Sequence, residues 1–570
     1  MRTLVCRPAL LAATSVAALC LPHLAKADDS SGQLSAIERQ IKSLTAELAH
    51  MKHDMAVRNE EMRAVQRQAA HAQAAADARG PASPSYAGAP SFNVPPGYAL
   101  VPATTGPNGT VVLAKTAEPQ QPKLPLGTFM IGDVRVTLGG FIEETGIYRS
   151  RNEVADIASS FNTGIPLPNS ALYHENEYRQ SARQSRFSLM AQDNPDPVTT
   201  LTGVFEGDLI SAGSTANSNE SNSYNPRVRH AFAVYDRSDW GMYFLGGQTW
   251  SLATMDKTGI GYMLSSYNIP SQIDAQYMPG FVWTRTPQFR VAKSFDNNKF
   301  WLAASVENPQ TVYYAGPNGN FPTSVGTVND ENPGGSTFAS TTNYSTEVAP
   351  DVIVKASADP GWGHYEVFGI GRFLHDRISE EPGHGESESK TVLAGGIGGG
   401  MILPILPKYL DFQANVLAGR GIGRYGTSQL PDSVIGPDGT PDPLGEVMGM
   451  VGLISHPLKS LDIYAYGGTE QVGRKYFDYD GKAYGYGNPL YENSSCETEL
   501  GSSADCVANT SGIVQGTIGA WWRFEHGPYG TMQIGPQYSY THRSIYSGVG
   551  PTPKTDENMV FLSFRYYPFQ

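Results

Sequence analysis

Between about Val134 and Phe569, apolar and polar residues alternate in short runs. In LTGVFEGDLI (201–210), Leu201, Phe205 and Leu209 share one face, and Thr202, Glu206 and Asp208 share the other. In SRFSLMAQ (185–192), Phe187, Leu189 and Ala191 alternate with Arg186, Ser188 and Gln192. In NMVFLSFRYYPFQ (558–570), Val560, Leu562, Phe564 and Tyr566 alternate with Phe561, Ser563, Arg565 and Tyr567. A period of two marks β-strands whose two faces meet different surroundings. Turn-forming clusters separate these runs: DNPDP (193–197), DRSDWG (236–241), DNNK (296–299), DPGWG (359–363), LPKYL (406–410), HPLKSL (456–461) and EHGPYG (525–530). Each short turn is followed by a strand and then by a longer polar connection, such as SAGSTANSNESNSYNP (211–226), 311–350 or 478–511. Seven short turns, eight longer connections and two terminal strands predict sixteen antiparallel strands.

The period changes upstream. With Leu34 at position a, Leu34, Ile41, Leu48, Met55 and Met62 alternate along a seam with Ile37, Leu44, Met51, Arg58 and Val65 at d. Nine of these ten positions are apolar, which predicts an oligomerising α-helical coiled coil over 28–78. Residues 79–133 then turn rich in Pro, Gly, Ala and Ser and read as a linker, with VPATTGPNGTVVLA a candidate hairpin inside it. At the start, Arg2 and Arg7 precede ALLAATSVAALCL and the Ala25-Lys26-Ala27 cleavage pattern. This predicts a secretory signal peptide over 1–27, and a poor lipidation box around Cys20 speaks against a lipid anchor.

Composition changes what the strands must be. Charged residues are 17% of the 570-residue chain, below the ~25% usual for soluble domains, while aromatics reach 10%. After the N-terminus no apolar run approaches the ~18 residues of a membrane helix. An all-β transmembrane β-barrel over 134–570 reconciles these facts, with an apolar outer face and a polar lumen. Its tight turns would face the periplasm and its long loops the exterior, with Tyr235, Trp240, Phe300, Trp301, Trp362, Tyr409 and Tyr529 forming an aromatic girdle at the turn end. The formal charge of −13 excludes general nucleic-acid binding. Cys496 and Cys506 flank a polar stretch, and an exported chain would pair them in a loop-stapling disulfide.

The blocks LGGFIEETGIYRS, SARQSRFSLMAQ, GVFEGDLISAGSTANSNESNSYNPRVRHAF, GQTWSL and IDAQYMPGFVW resemble the outer-membrane porins of Gram-negative bacteria. The coiled coil ahead of a barrel is similar to the branch that includes the phosphate-selective porins. The resemblance implies a homotrimer in outer-membrane lipid, passing small hydrophilic solutes and ions by diffusion, with no cofactor and no catalysis. It also implies that the C-terminal strand is read by the outer-membrane insertion machinery, although Gln570 follows the aromatic Phe569 that commonly ends such barrels. The coiled coil would project into the periplasm, aiding trimerisation or reaching the cell wall. An outer-membrane barrel adhesin, or a barrel enzyme with a closed lumen, is the alternative; no G-x-S-x-G or H-E-x-x-H supports an enzyme.

A channel acts through geometry and field. The connection after the fifth strand, Ser251 to Pro279, occupies the position of the loop that in porins folds inward, and it carries Asp256, Lys257 and Asp274. Opposite it, Arg186, Glu206, Asp208, Arg227 and Arg229 are expected on the pore wall, Arg227 and Arg229 in step with the small residues Ala231 and Ala233. Acid on the loop and arginine on the wall would set a transverse field, although charged pairs can equally serve structure alone. The mixed charges do not carry phosphate specificity. No metal ligand set is read: DYDG (478–481) lacks further calcium ligands, and His50 and His53 lie on the coiled coil. GGIGGG (395–400) has no helix after it and reads as bends in a strand rather than a nucleotide loop.

Overall fold

The computed structural model describes residues 98–102, 111–115, 124–157, 159–161, 163–211, 224–333 and 342–570. The predicted signal peptide, the coiled coil and most of the linker lie outside them. Tyr98–Pro102 pairs antiparallel with Val111–Lys115, a hairpin on its own within the linker stretch.

Sixteen long strands build a closed antiparallel barrel. They are β1 (Val134–Arg149), β2 (Arg186–Asp196), β3 (Thr199–Asp208), β4 (Arg227–Arg237), β5 (Met242–Trp250) and β6 (Arg285–Phe295). Next come β7 (Phe300–Glu307), β8 (Asp351–Ala358), β9 (His364–Glu380), β10 (Glu388–Leu406) and β11 (Leu410–Arg420). The last five are β12 (Gly445–Leu458), β13 (Leu461–Val472), β14 (Thr510–Gly527), β15 (Gly530–Ile545) and β16 (Thr555–Tyr567). β16 closes on β1 from Met559 opposite Arg149 to Tyr566 opposite Ile142, so neither edge is left unpaired. A short strand, Thr128–Ile131, pairs with Val134–Thr137 and starts the sheet slightly before the expected boundary at 134. Glu177–Ser181 extends β2 upward along β1. Among the described residues there is no α-helix, only short 3-10 turns.

The seven tight turns fall where the sequence places them, for local reasons. Asp196 accepts from the backbone of Val198 and Thr199 (both 2.9 Å) and from the Thr199 hydroxyl (2.8 Å), closing the β2–β3 turn. Asp296, Asn297 and Asn298 all adopt positive φ at the β6–β7 turn, a conformation that Asn and Asp tolerate better than most residues. The β9–β10 connection is short, but these strands run 17 and 19 residues and carry their hairpin past the rim.

The barrel wall alternates as expected on β16, where Val560, Leu562 and Phe564 are exposed and Met559, Phe561 and Ser563 are buried inside. The alternation expected on β4 does not hold. A bulge opposite Glu206 and Gly207 breaks the period, so Ala231 and Ala233 face outward while both Arg229 and His230 are buried in the interior. A bulge adds one unpaired residue and re-aims those beyond it. The arginines therefore face the lumen for a different reason from the one the alternation supplied.

Candidate functional site

The connection between β5 and β6, residues 251–284, folds inside the barrel. It is held mainly through its backbone, by acceptors on the surrounding wall. Glu307 of β7 accepts from Leu252 N (2.8 Å), Glu366 of β9 from Asp256 N (3.1 Å), and Glu470 of β13 from Gly280 N (2.8 Å). Tyr466 accepts from Ser271 N (3.0 Å) and Gln537 from Ile273 N (2.8 Å). Trp521 donates its indole N–H to Ser271 O (2.8 Å). At its lowest point the loop reaches the turn end, where Gly259 N donates to Asp359 (2.8 Å) and the Tyr262 hydroxyl to Asp236 (3.0 Å).

Close packing of loop on wall needs missing side chains. A Cβ on Gly280 would meet the backbone of Gly449 at 2.2 Å, and one on Gly468 would meet Pro279 O at 2.0 Å. In the GGIGGG run, a Cβ on Gly400 would lie 2.3 Å from Met255 Sδ. That run is strand, and one of its glycines makes room for the loop.

Asp256 and Lys257, expected at the constriction, are not there. Asp256 is buried on the wall side of the loop, where Lys355 of β8 donates to it (2.9 Å) and also contacts Glu366 (2.9 Å). His364 joins the same cluster through Glu366 (3.2 Å) and Asp359 (2.9 Å). These charges fasten the loop. Lys257 is exposed at the lower bend, its backbone bonded to Ser266 O (2.7 Å).

Asp274 does face the lumen gap. It caps the 3-10 turn Ala275–Tyr277 by accepting from Gln276 N (2.9 Å), and the Tyr277 hydroxyl meets Arg149 (3.1 Å) and Ser159 (2.8 Å). Across from Ile269–Gln276 lies a cavity of about 180 Å³ lined by Arg186, Arg227, Arg229, Arg285, Arg565 and Glu206, among others. Wall carboxylates hold three of the arginines in place. Arg227 makes a bidentate pair with Asp208 (3.0 and 2.8 Å), and Arg229 bridges Glu206 (2.8 Å) and Asp208 (2.9 Å). Arg565 pairs with Glu143 (3.0 Å), while Arg186 lies 3.7 Å from Glu206 and 5.0 Å over the Phe141 ring.

Arg285 has no ion pair among the described residues. Its guanidinium lies 4.5 Å over the Trp250 ring and 5.9 Å over Trp283. Sequence reasoning missed it because Pro287, two residues on, faces outward, so alternation assigns Arg285 to the outer wall. Where the loop enters the lumen the alternation ends, and Trp250, Trp283 and Arg285 turn inward. Arg565 was placed on the inner face of β16, but nothing local singled it out. The Cys496–Cys506 disulfide is formed, and it packs with Leu167 of the first loop.

No protein-family model and no curated protein matches the chain. Among solved structures it is similar to the outer membrane channel DcaP of Acinetobacter baumannii, at 16% identity and a TM-score of 0.51, covering 76% of this chain and 97% of that one. The anion-selective porin from Comamonas acidovorans (9% identity, TM-score 0.40, 76% and 99% covered) and Salmonella typhi OmpF (10%, 0.39, 77% and 99%) match less closely. The fold is that of an outer-membrane porin. Its features here are the closed barrel of sixteen strands, tight turns at one end, long loops at the other, and one loop folded into the lumen.

Proposed function

We propose that this porin-type barrel is a passive outer-membrane channel for small hydrophilic solutes and ions, with its constriction between residues 269–276 and the arginine wall. Arg186, Glu206, Arg227, Arg229 and Asp274 border that gap, and Asp208 braces Arg227 and Arg229 from behind. The observation that carries the reading is the loop latched by its backbone inside a closed barrel, leaving an arginine-lined gap on one side. Arg285, stacked on tryptophan and with no ion pair among the described residues, adds positive charge there. We infer a preference for anions.

Single-channel recording of the purified protein in a planar bilayer should show discrete conducting steps, and a salt gradient should give a reversal potential of anion-selective sign. Arg285→Ala should move that potential towards the cation side. A protein that inserts but never conducts would sink the channel reading in favour of a closed-lumen adhesin. A homotrimer with a periplasmic coiled coil over 28–78 fits the same reading. Deleting residues 28–79 should weaken the trimer or its periplasmic attachment and leave unitary conductance unchanged.

A further inference from the structure

Between β7 and β8, residues 308–350 carry Asp330, Glu331 and Glu347 and no Lys, Arg or His. Part of this connection is built onto β9. Gly326–Asn329 pairs antiparallel with the upper end of that strand, Val328 opposite Ile378 and Asn329 opposite Arg377. Continued by one residue, the register sets Asp330 opposite Asp376, with their Cβ atoms about 5 Å apart. Thr346 fixes that junction, its hydroxyl reaching both Asp330 O (3.3 Å) and His375 O (3.0 Å). Val328, Asp330, Asp376 and Ile378 all lie on the buried face.

Two carboxylates thus meet in a dry place without a counter-charge. Asp376 is 0% exposed, and neither of its oxygens has a hydrogen-bond partner among the described residues. Asp330 accepts one side-chain bond, from Asn320 (2.9 Å). The cations packed nearby are engaged elsewhere. Lys390, opposite Asp376 on β10, turns to Glu388 (3.0 Å) and donates to Asp438 O (2.6 Å). Arg372, four residues down β9, pairs with Asp351 (3.3 Å) and Asp432 (2.9 Å). His375 and Arg377 lie on the other face of β9, against Thr391 (2.8 Å) and Ser389 (3.3 Å). Glu347, next to Thr346, adds charge of the same sign and accepts from the Thr311 hydroxyl. Like charges this close disfavour each other's ionised form, and burial deepens the cost.

We propose that Asp330 and Asp376 bind a hard divalent cation of the calcium class, which ties the β7–β8 connection to β9 outside the rim. The available donors are all oxygen, the set that suits calcium or magnesium rather than metals held by imidazole or thiolate. Asp376 brings two free oxygens and Asp330 at least one, and waters fill the rest of the six to eight positions that Ca²⁺ takes. So few protein ligands match the weak affinities, roughly 10⁻⁴–10⁻³ M, of extracellular calcium modules. One proton would neutralise one carboxylate and leave the other bare, whereas a dication serves both. Protons compete with the ion for the same oxygens. A loss of stability in this connection as pH rises therefore belongs to the chelated protein. The proposal stands independently of solute preference.

The full-length protein in detergent, stripped with EDTA and titrated with calcium chloride in a calorimeter, tests it. Asp376→Asn should weaken calcium binding by about tenfold or more, because affinity follows the charge of the ligands. Glu386→Gln, on the exposed β9–β10 hairpin, should leave it unchanged. Hydrogen exchange gives a second readout that needs no variant. At about pH 8, where carboxylates are free of protons, calcium should slow the amides of 326–330 and 376–380 severalfold over EDTA. Asp330→Asn should abolish that slowing. The proposal is overturned if the wild type shows neither heat of binding nor slowed exchange, or if Asp376→Asn binds calcium as tightly as the wild type. It is equally overturned if exchange at these amides follows pH identically in calcium and in EDTA, which would make protons the occupants.

Discussion

Glu470 shows how much of the loop's position rests on single side chains. Buried at 1% exposure on β13, it accepts from Gly280 N, from Thr427 N and its hydroxyl, and from Ser428 N. Removing it would strand several buried donors at once. Hydrogen bonds to a charged acceptor contribute roughly 1.5–3 kcal/mol each, and orphaned buried groups add their own cost. Glu470→Ala is therefore expected to destabilise the barrel by about 3 kcal/mol in urea unfolding, and to add open-channel current noise as the loop loosens. Lys355→Met is a second case. It would leave Asp256 and Glu366 facing each other without their cation, with an expected loss of about 3–5 kcal/mol. The wild-type stability measured in a Lys355→Met variant would mean that water already replaces the ammonium.

At the scale of elements, the outer connections behave as small folded units. Burial pushes the Asp330 and Glu347 carboxyls, both in the β7–β8 connection, above their ordinary values of 3.8 and 4.5. Hydrogen bonds from Asn320 and Thr311 offset part of that effect. A carboxyl whose folded pKa is raised contributes stability that is full below its unfolded value and lost as pH rises through the folded one. Amides around 311–332 should therefore open less often near about pH 4 than near about pH 8, once intrinsic exchange rates are divided out. The disulfide acts on another connection. Its separation of 10 residues corresponds to about 2–3 kcal/mol of loop-closure entropy. Because Cys496 O accepts from Asn169 N (3.1 Å), the paired Cys496→Ser and Cys506→Ser changes should loosen the first loop as well as the seventh. Proteolytic nicking confined to 488–509 in that variant would argue against the link. The elements themselves were largely legible in the sequence. DNNK and DNPDP specify turns through groups a few residues apart, and period-two alternation marks strands whose faces differ.

In the whole molecule, the barrel is a ring of local hairpins and the loop inside it is a non-local object. Replacing residues 255–279 by a short flexible linker is expected to raise unitary conductance severalfold and to bring the reversal potential closer to zero. A conductance equal to that of the intact chain would show that the loop does not set the narrow point. Strands, turns and a closed, lipid-facing sheet followed from residues acting on near neighbours and from composition alone. Tertiary structure decided which charges share the gap. Asp256 went to the wall because Lys355, 99 residues away, was there to pair with it. Arg229 reached the lumen through a bulge opposite Glu206, and Arg285 and Arg565 line the same cavity although 280 positions of chain separate them. Alternation and turn chemistry are short-range and can be read along the chain. A bulge depends on how two strands pair across a long connection, and loop docking on contacts with strands far along the chain, which no local stretch of sequence encodes.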